Sequence, residues 1–347
     1  MHLETTYSYD DALLIPQRSQ VKSRSDVSLQ TKLSEKLVFD LPIISANMDS
    51  VTGIKMAIAL GKLGGIAILP RFNSGEEQIE MLTEVKKENV KVGASIGIKD
   101  DYMERAKNLV EKKVDCLVID VAHGHMERVL TVTKEIKNAF PEVTLIAGNV
   151  STYAAAKDLF ESGADVVKVG VGPGSICTTR IETGHGVPQL TAIFEAGRAA
   201  KESGKTLIAD GGIKNSGDIV KAIAAGASAV MLGNMLAGCD EAPGEIIEHQ
   251  GKKYKKYFGS TSEEQKEKHL ENLKKDPNYL KHIEGVSGAV LYKGSLTEMM
   301  DKIGASLRSG LSYSGAFNIP ELQKNAKFVA ITPAGQRESG SHDLYQI

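Results

Sequence analysis

The chain has 347 residues, with 42 Lys and Arg against 44 Asp and Glu for a formal net charge of -2, and 41% of its residues are hydrophobic. That balance excludes a nucleic-acid coat or a polybasic membrane binder, and the composition is that of a globular protein rather than a disordered, collagen-like or coiled-coil chain. No apolar run approaches the roughly 20 residues that span a bilayer, and the polar start MHLETTYSYDD is unlike a secretory signal, so the expected location is cytoplasmic, with neither membrane nor nucleic acid as partner.

Residues 1 to 40 precede the first strand-like run and are expected to cap the N-terminal end of the fold. Eight short, nearly continuous apolar runs follow: LPIISA (41 to 46), GGIAIL (64 to 69), VKVGASIG (90 to 97), DCLVIDV (115 to 121), TLIAGN (144 to 149), DVVKVGV (165 to 171), TLIADG (206 to 211) and AVMLG (229 to 233). Helical stretches with legible ends lie between them. Ser74 and Glu77 make a capping box before EQIEMLTEVKKE, STYAAAKDLFESG closes at Gly163, and NSGDIVKAIAAG closes at Gly226. Strands apolar on both faces, alternating with helices, predict a parallel sheet covered by helices. Eight such units in one domain of this length favour an α/β fold of the (β/α)8 TIM-barrel type. An open doubly wound sheet stays as the alternative, because periodicity does not show closure. Residues 238 to 294 form a charged excursion after the eighth run, read as an active-site flap with a solvated surface arm as the alternative.

In such a barrel the working residues come from the C-terminal ends of the strands. The sixth run leads into GVGPGSICTTR (170 to 180), where alternating glycines let backbone groups approach a ligand or an ion directly. The three cysteines, Cys116, Cys177 and Cys239, are too few for a disulfide framework. Cys116, inside the fourth strand, reads as packing. Cys177 lies in a rim loop beside Arg180 and reads as a nucleophile, since a thiol needs an electropositive setting to become a thiolate. Asp210-Gly211-Gly212 and Gly233-Asn234 end the seventh and eighth runs, where these barrels commonly bind phosphate. The helix that begins at Asn215 is expected to turn its positive end to the same place. The plainer reading of these glycines is that tight turns need them.

His123-Gly124-His125 lacks the companion ligands of a zinc site, and no GxGxxG, GxxxxGK[ST] or GxSxG motif is present in a context that would give it meaning. The residues by themselves lead to a phosphate-bearing ligand beside a nucleophilic thiol, under a flap.

The motifs lead further. GVGPGSICTTR, with TGHGVPQLTAI, IADGGIKNSGDIVKAIAAGASAVMLG and SHD near the C-terminus, closely resembles the inosine monophosphate dehydrogenase and guanosine monophosphate reductase family. The likeness runs from YSYDDALLIP to ITPAGQRESGSHDL. It implies a barrel that binds a purine mononucleotide, attaches purine C2 to Cys177 and exchanges hydride with a nicotinamide cofactor. By the same resemblance Ser175, Gly212, Gly233, Asn234 and Tyr257 would hold the 5′-phosphate, and Asp210 the ribose hydroxyls. Met48, Gly259 and Ser260 would border the purine, Glu284 would touch its N1 edge, and Thr179 would relay a proton from Glu284 to the leaving group. Asp120, Gly170 and Gly172 would lie near the cofactor. The backbone carbonyls of Gly172, Gly174 and Cys177 would coordinate a monovalent cation such as K+, and the family implies a homotetramer.

Within the family, the dehydrogenase usually carries CBS modules after the second strand, and its flap carries an adjacent Arg-Tyr pair that activates water. Here Leu69-Pro70-Arg71-Phe72 runs straight into the helix at Ser74, no arginine occurs between Gly259 and Gly285, and Tyr279 follows Asn278. Ser45-Ala46-Asn47-Met48-Asp49 carries the Ala-Asn-Met of reductases, and YFGSTSEEQKEKH resembles the flap of a bacterial reductase subgroup. These features favour NADPH-dependent conversion of GMP to IMP and ammonia. ITPAGQRESGSHDL and EGVSGAVLYKGS are more like dehydrogenases, and His185 departs from the smaller or apolar residue usual in the family. Oxidation of IMP with NAD, by an enzyme without CBS modules, is the alternative; a purine-nucleotide sensor without turnover is the third reading.

Overall fold

Each of the eight apolar runs forms a strand in the computed structural model, which describes residues 3–99, 101–263, 265–267 and 283–340. Tyr279 and the Ser341-His342-Asp343 segment lie outside the described residues. The strands are β1 (Ile43–Ser45), β2 (Ile66–Leu69), β3 (Val92–Ile96) and β4 (Cys116–Asp120), then β5 (Thr144–Val150), β6 (Val166–Val169), β7 (Thr206–Asp210) and β8 (Ala229–Leu232). Each pairs in parallel with the next, and β8 returns to β1 with Val230 opposite Ile43 and Leu232 opposite Ser45. The sheet is therefore a closed (β/α)8 barrel, and the open sheet is excluded.

Closure explains why both faces of the strands are apolar. Inward side chains fill the barrel and outward ones meet the helices, so Ile43, Ile66, Ile68 and Ile96 are fully buried. The helices start where the caps predict. Glu77 N donates to Ser74 Oγ at 3.1 Å, and Ser74 N to Glu77 Oε2 at 2.9 Å, at the head of the helix Gly75–Lys87. Thr152 caps the helix Tyr153–Glu161, whose Ala155, Ala156, Leu159 and Phe160 are buried.

The first forty residues divide between the two ends of the barrel, so the N-terminal cap is narrower than expected. A hairpin of Thr31–Ser34 and Leu37–Phe39 closes the N-terminal end. Thr31 Oγ1 donates to Ser228 O at 2.5 Å, Thr206 Oγ1 donates to Leu33 O at 2.6 Å, and Ser34 Oγ lies 2.6 Å from Thr144 Oγ1, which ties the hairpin to the starts of β8, β7 and β5. Upstream of it, Ala12–Leu14 pairs with Phe328–Ala330. Tyr9 is buried at the opposite, catalytic end, where its ring fills the space beside the unsubstituted Gly212.

The excursion after β8 has structure of its own. Ile246–His249, Lys252–Phe258 and Ser287–Leu291 form an antiparallel sheet in which Tyr257 stands opposite Gly288. That sheet returns the chain to the rim of the barrel at Glu284 and Gly285.

Candidate active site

Gly170 leaves β6 with φ of +150°, and a β-carbon there would fall 2.0 Å from the carbonyl oxygen of Asp210. Only glycine can pass, and the chain turns over the barrel mouth into the loop that carries Cys177. Cys177 N donates to Gly174 O at 3.1 Å, which closes a tight turn. The far side of the loop is clamped to the returning excursion: Thr178 N donates to Glu284 O at 3.0 Å, Val286 N donates to Ile176 O at 3.0 Å, and Cys177 bridges Gly285. Backbone pairing thus brings Glu284 beside the loop.

The side chains continue that contact. Cys177 Sγ donates to Thr179 Oγ1 at 3.2 Å, and Thr179 Oγ1 donates to Glu284 Oε2 at 2.7 Å. A thiol, a hydroxyl and a carboxylate in sequence can pass a proton from sulfur to carboxylate, creating a nucleophile at one end and an acid at the other. Arg180, expected to favour the thiolate, donates instead to Val187 O at 2.7 Å and Val171 O at 3.5 Å, and so braces the loop. Cys116 and Cys239 are buried, and burial pushes the first thiol well up and the second up to about 11. Cys177 is the partly exposed cysteine.

Two cavities meet at this thiol. The larger, about 490 Å³, gathers Met48, Ser175, Cys177, Asp210, Gly212 and Gly233, and with them Asn234, Tyr257, Gly259, Ser260 and Glu284. The smaller, about 200 Å³, is walled by Arg71, Asp120, Gly170, Gly172, Gly174 and Thr179. Cys177, Met48, Asp210 and Ser260 face both.

One end of the larger cavity suits an anion, though not for the reason expected. The helix Ser216–Ala224 is already capped, because Asn215 Oδ1 accepts from Asp218 N at 3.1 Å. The buried carboxylate of Asp218 accepts from Lys214 N at 2.9 Å and places negative charge in the first turn. The open helix end belongs to Asn234–Ala237, which begins at Gly233 without a side-chain cap. Tyr257 stands over it: a β-carbon on Gly233 would lie 2.9 Å from the Tyr257 hydroxyl. Burial pushes that hydroxyl up to about 12, Ser175 opposes the shift by a hydrogen bond, and Asp210 adds to it by its charge. Tyr257 therefore keeps its proton and remains a donor.

Beneath both cavities lies a charged network that the sequence reading missed. Lys168 Nζ is 2.6 Å from Asp210 Oδ2 and 3.2 Å from Asp120 Oδ1, and it also donates to Asn149 Oδ1. Asn149 Nδ2 donates to Asp210 Oδ2 at 3.0 Å and to Gly170 O at 2.8 Å. A register shift in β5 between Gly148 and Val150 frees Asn149 for this role. Arg71 Nε approaches Asp120 Oδ2 at 3.5 Å from a loop that Gln78 and Arg105 hold by its carbonyls. Burial raises the Asp120 carboxyl, but Lys168 and Arg71 outweigh it and hold it below its ordinary value. The signal for Lys168 was present: a lone lysine among the valines of DVVKVGV.

The model of the IMP dehydrogenase / GMP reductase domain matches residues 6–342. The chain is 40% identical to an inosine-5'-monophosphate dehydrogenase of Borreliella burgdorferi over 98% of this chain and 97% of that one. It is 38% identical to that of Aquifex aeolicus over 97% of this chain and 95% of the relative. The second alignment runs over 467 residues, more than the 347 of this chain, so that relative carries residues with no counterpart here. Among solved structures, a cysteine-to-alanine variant of GMP reductase from Trypanosoma brucei in complex with guanosine 5'-monophosphate superposes with a TM-score of 0.94, at 33% identity and 99% coverage of both chains. The chain belongs to the IMP dehydrogenase / GMP reductase family of nicotinamide-dependent oxidoreductases.

Proposed function

We propose that the protein converts GMP to IMP and ammonia with NADPH as reductant. The observation that carries this reading is the absence of arginine between Gly259 and Gly285: the flap has no Arg-Tyr pair to activate water, as the dehydrogenase reaction requires. The reductase instead needs an acid for a departing amine, a role that the chain from Cys177 through Thr179 to Glu284 fits, although a corresponding pair helps activate water in some dehydrogenases.

GMP occupies the larger cavity. Ser175, Gly212, Gly233, Asn234 and Tyr257 hold its phosphate, Asp210 accepts from the ribose hydroxyls, and Met48, Gly259 and Ser260 border the base. Glu284 meets the N1 edge. The Cys177 proton passes to Thr179 while the Thr179 proton passes to Glu284, leaving a thiolate and a carboxylic acid. The thiolate bonds to purine C2 as the C2–N3 double bond releases its electron pair to N3. Glu284 then returns a proton through Thr179 to the exocyclic amine, the pair on N3 re-forms the double bond, the bond from C2 to that amine breaks, and ammonia leaves. The C2–S bond breaks when C2 has gained hydride, which regenerates the thiolate and releases IMP.

NADPH supplies that hydride when bound. Asp120, Gly170 and Gly172, which line the smaller cavity, would hold its nicotinamide end. Arg71 Nε fits a polar cofactor group there, because it is buried and makes no hydrogen bond among the described residues. The carbonyls of Gly172, Gly174 and Cys177 would hold a monovalent cation, K+ in this reading. Gly174 O already accepts the Cys177 amide and retains a second lone pair for an ion. A cytoplasmic homotetramer completes the proposal; among the described residues no helix is long and apolar enough to cross a membrane.

Relatives named inosine-5'-monophosphate dehydrogenase at 38% and 40% identity favour the second reading, oxidation of IMP with NAD and water. Two assays separate them. Oxidation of NADPH that depends on GMP and releases ammonia supports the reductase; reduction of NAD by IMP, without GMP-dependent oxidation of NADPH, replaces it with the dehydrogenase.

A further inference from the structure

Lys168 is the one lysine in a strand of valines, and its side chain is only 3% exposed. A buried ammonium is tolerated where its donors are met by charged or polar partners. Here its three donors have three partners: Asp210 Oδ2, Asp120 Oδ1 and Asn149 Oδ1. Those partners do not serve the same cavity. Asp120 faces the smaller one alone, whereas Asp210 reaches the larger one as well. Asp210 Oδ2 takes both Lys168 and Asn149, and Oδ1 accepts no hydrogen bond from a described residue. Burial opposes charge on Lys168, but Asp210 and Asp120 outweigh it and the ammonium stays protonated.

We propose that Lys168 is a positioning residue that couples the two ligand sites, making purine nucleotide and nicotinamide cofactor each bind more tightly when the other is present. This rests on the reading of the cavities given above. A ribose hydroxyl that donates to Asp210 Oδ1 fixes that carboxylate and, through Oδ2, fixes Lys168 and Asn149. Lys168 then holds Asp120 in place before the cofactor arrives. The second ligand therefore binds a wall already ordered, and linkage requires the same gain in the opposite order. Neither carboxylate could transmit this alone, because they meet through the ammonium.

The test is calorimetric titration of the full-length protein with GMP, without and with saturating NADP+, the oxidised cofactor that cannot reduce GMP. The parent is expected to bind GMP about fivefold or more tightly with NADP+ present. Lys168→Met should bring that ratio to about one and weaken GMP binding on its own. Lys168→Arg, which keeps the charge but cannot reproduce all three contacts of a compact ammonium, should give an intermediate ratio. A ratio of one in the parent overturns the proposal, and so does the parental ratio persisting in Lys168→Met. If Lys168→Met does not fold, as judged by its thermal melt, Lys168→Arg decides: an undiminished ratio there overturns the coupling. A parent that binds neither GMP nor IMP overturns the reading of the larger cavity itself, an outcome distinct from tight nucleotide binding without coupling.

Discussion

Thr179 Oγ1 lies 2.7 Å from Glu284 Oε2, and the same hydroxyl accepts from Cys177 Sγ at 3.2 Å. One hydroxyl thus connects the proposed nucleophile to the proposed acid. Thr179→Val keeps the shape and breaks both bonds, and Glu284→Gln removes the proton site. Each should lower kcat with GMP and NADPH by roughly 10²–10⁴, the range of general acid–base catalysis, while GMP affinity changes little. Ammonia release in a single turnover is the readout, and an unimpaired burst in Glu284→Gln would take Glu284 out of the proton path.

Cys177→Ala removes the group proposed to bond C2. Turnover should fall by at least about a thousandfold, the scale seen when a covalent nucleophile is deleted, and equilibrium binding of GMP should survive. Reduction of GMP near the parental rate would show that sulfur is not the nucleophile.

The buried Tyr257 hydroxyl, pushed up to about 12, donates at every pH at which the enzyme would be assayed. Tyr257→Phe should weaken GMP binding about tenfold or more, the value of one hydrogen bond to a charged group, and by the same factor from about pH 6 to about pH 9. A loss confined to the alkaline side would mean that the hydroxyl ionises in that range.

Lys168 and Asp120 set opposite pH limits on stability. The Asp120 carboxyl is held below its ordinary value, so its contribution is present above about pH 4 and is lost as pH falls through the depressed value. The Lys168 ammonium is held above its ordinary value, so its contribution is present below about pH 10 and is lost as pH rises through the raised value. Lys168→Met should cost about 3–5 kcal/mol, because it leaves two carboxylates without their shared cation. That cost should shrink as pH falls and the carboxylates protonate, so the melting temperatures of variant and parent should converge in acid. Melts recorded across pH would contradict this if the gap between variant and parent stayed constant down to acid pH.

Most of the barrel was legible because a strand buried on both faces is nearly apolar throughout, and runs such as GGIAIL and AVMLG contain only apolar residues and glycine. Closure was not legible, since pairing of Val230 with Ile43 leaves no trace in either run. The residues of the two cavities were found through motif likeness, whereas the network below them was not. The valines of DVVKVGV mask Lys168, although a lysine that the barrel buries needs carboxylates at neighbouring strand ends. The helix at Ser216 misled for a related reason: its positive end is real, but Asn215 and Asp218 already occupy it. Tyr9 lies at the end opposite to the expected one, because its partners, Gly212 and Lys221, are distant in sequence.

Transfer of hydride to purine C2 is the event on which this account turns, and isotope transfer reports it directly. With GMP and NADPH carrying deuterium at both C4 positions of the nicotinamide, the IMP formed should carry deuterium at C2, as read by mass spectrometry of the purified nucleotide. IMP formed without the label, or no IMP while IMP and NAD give a labelled-water product oxidised at C2, would contradict it.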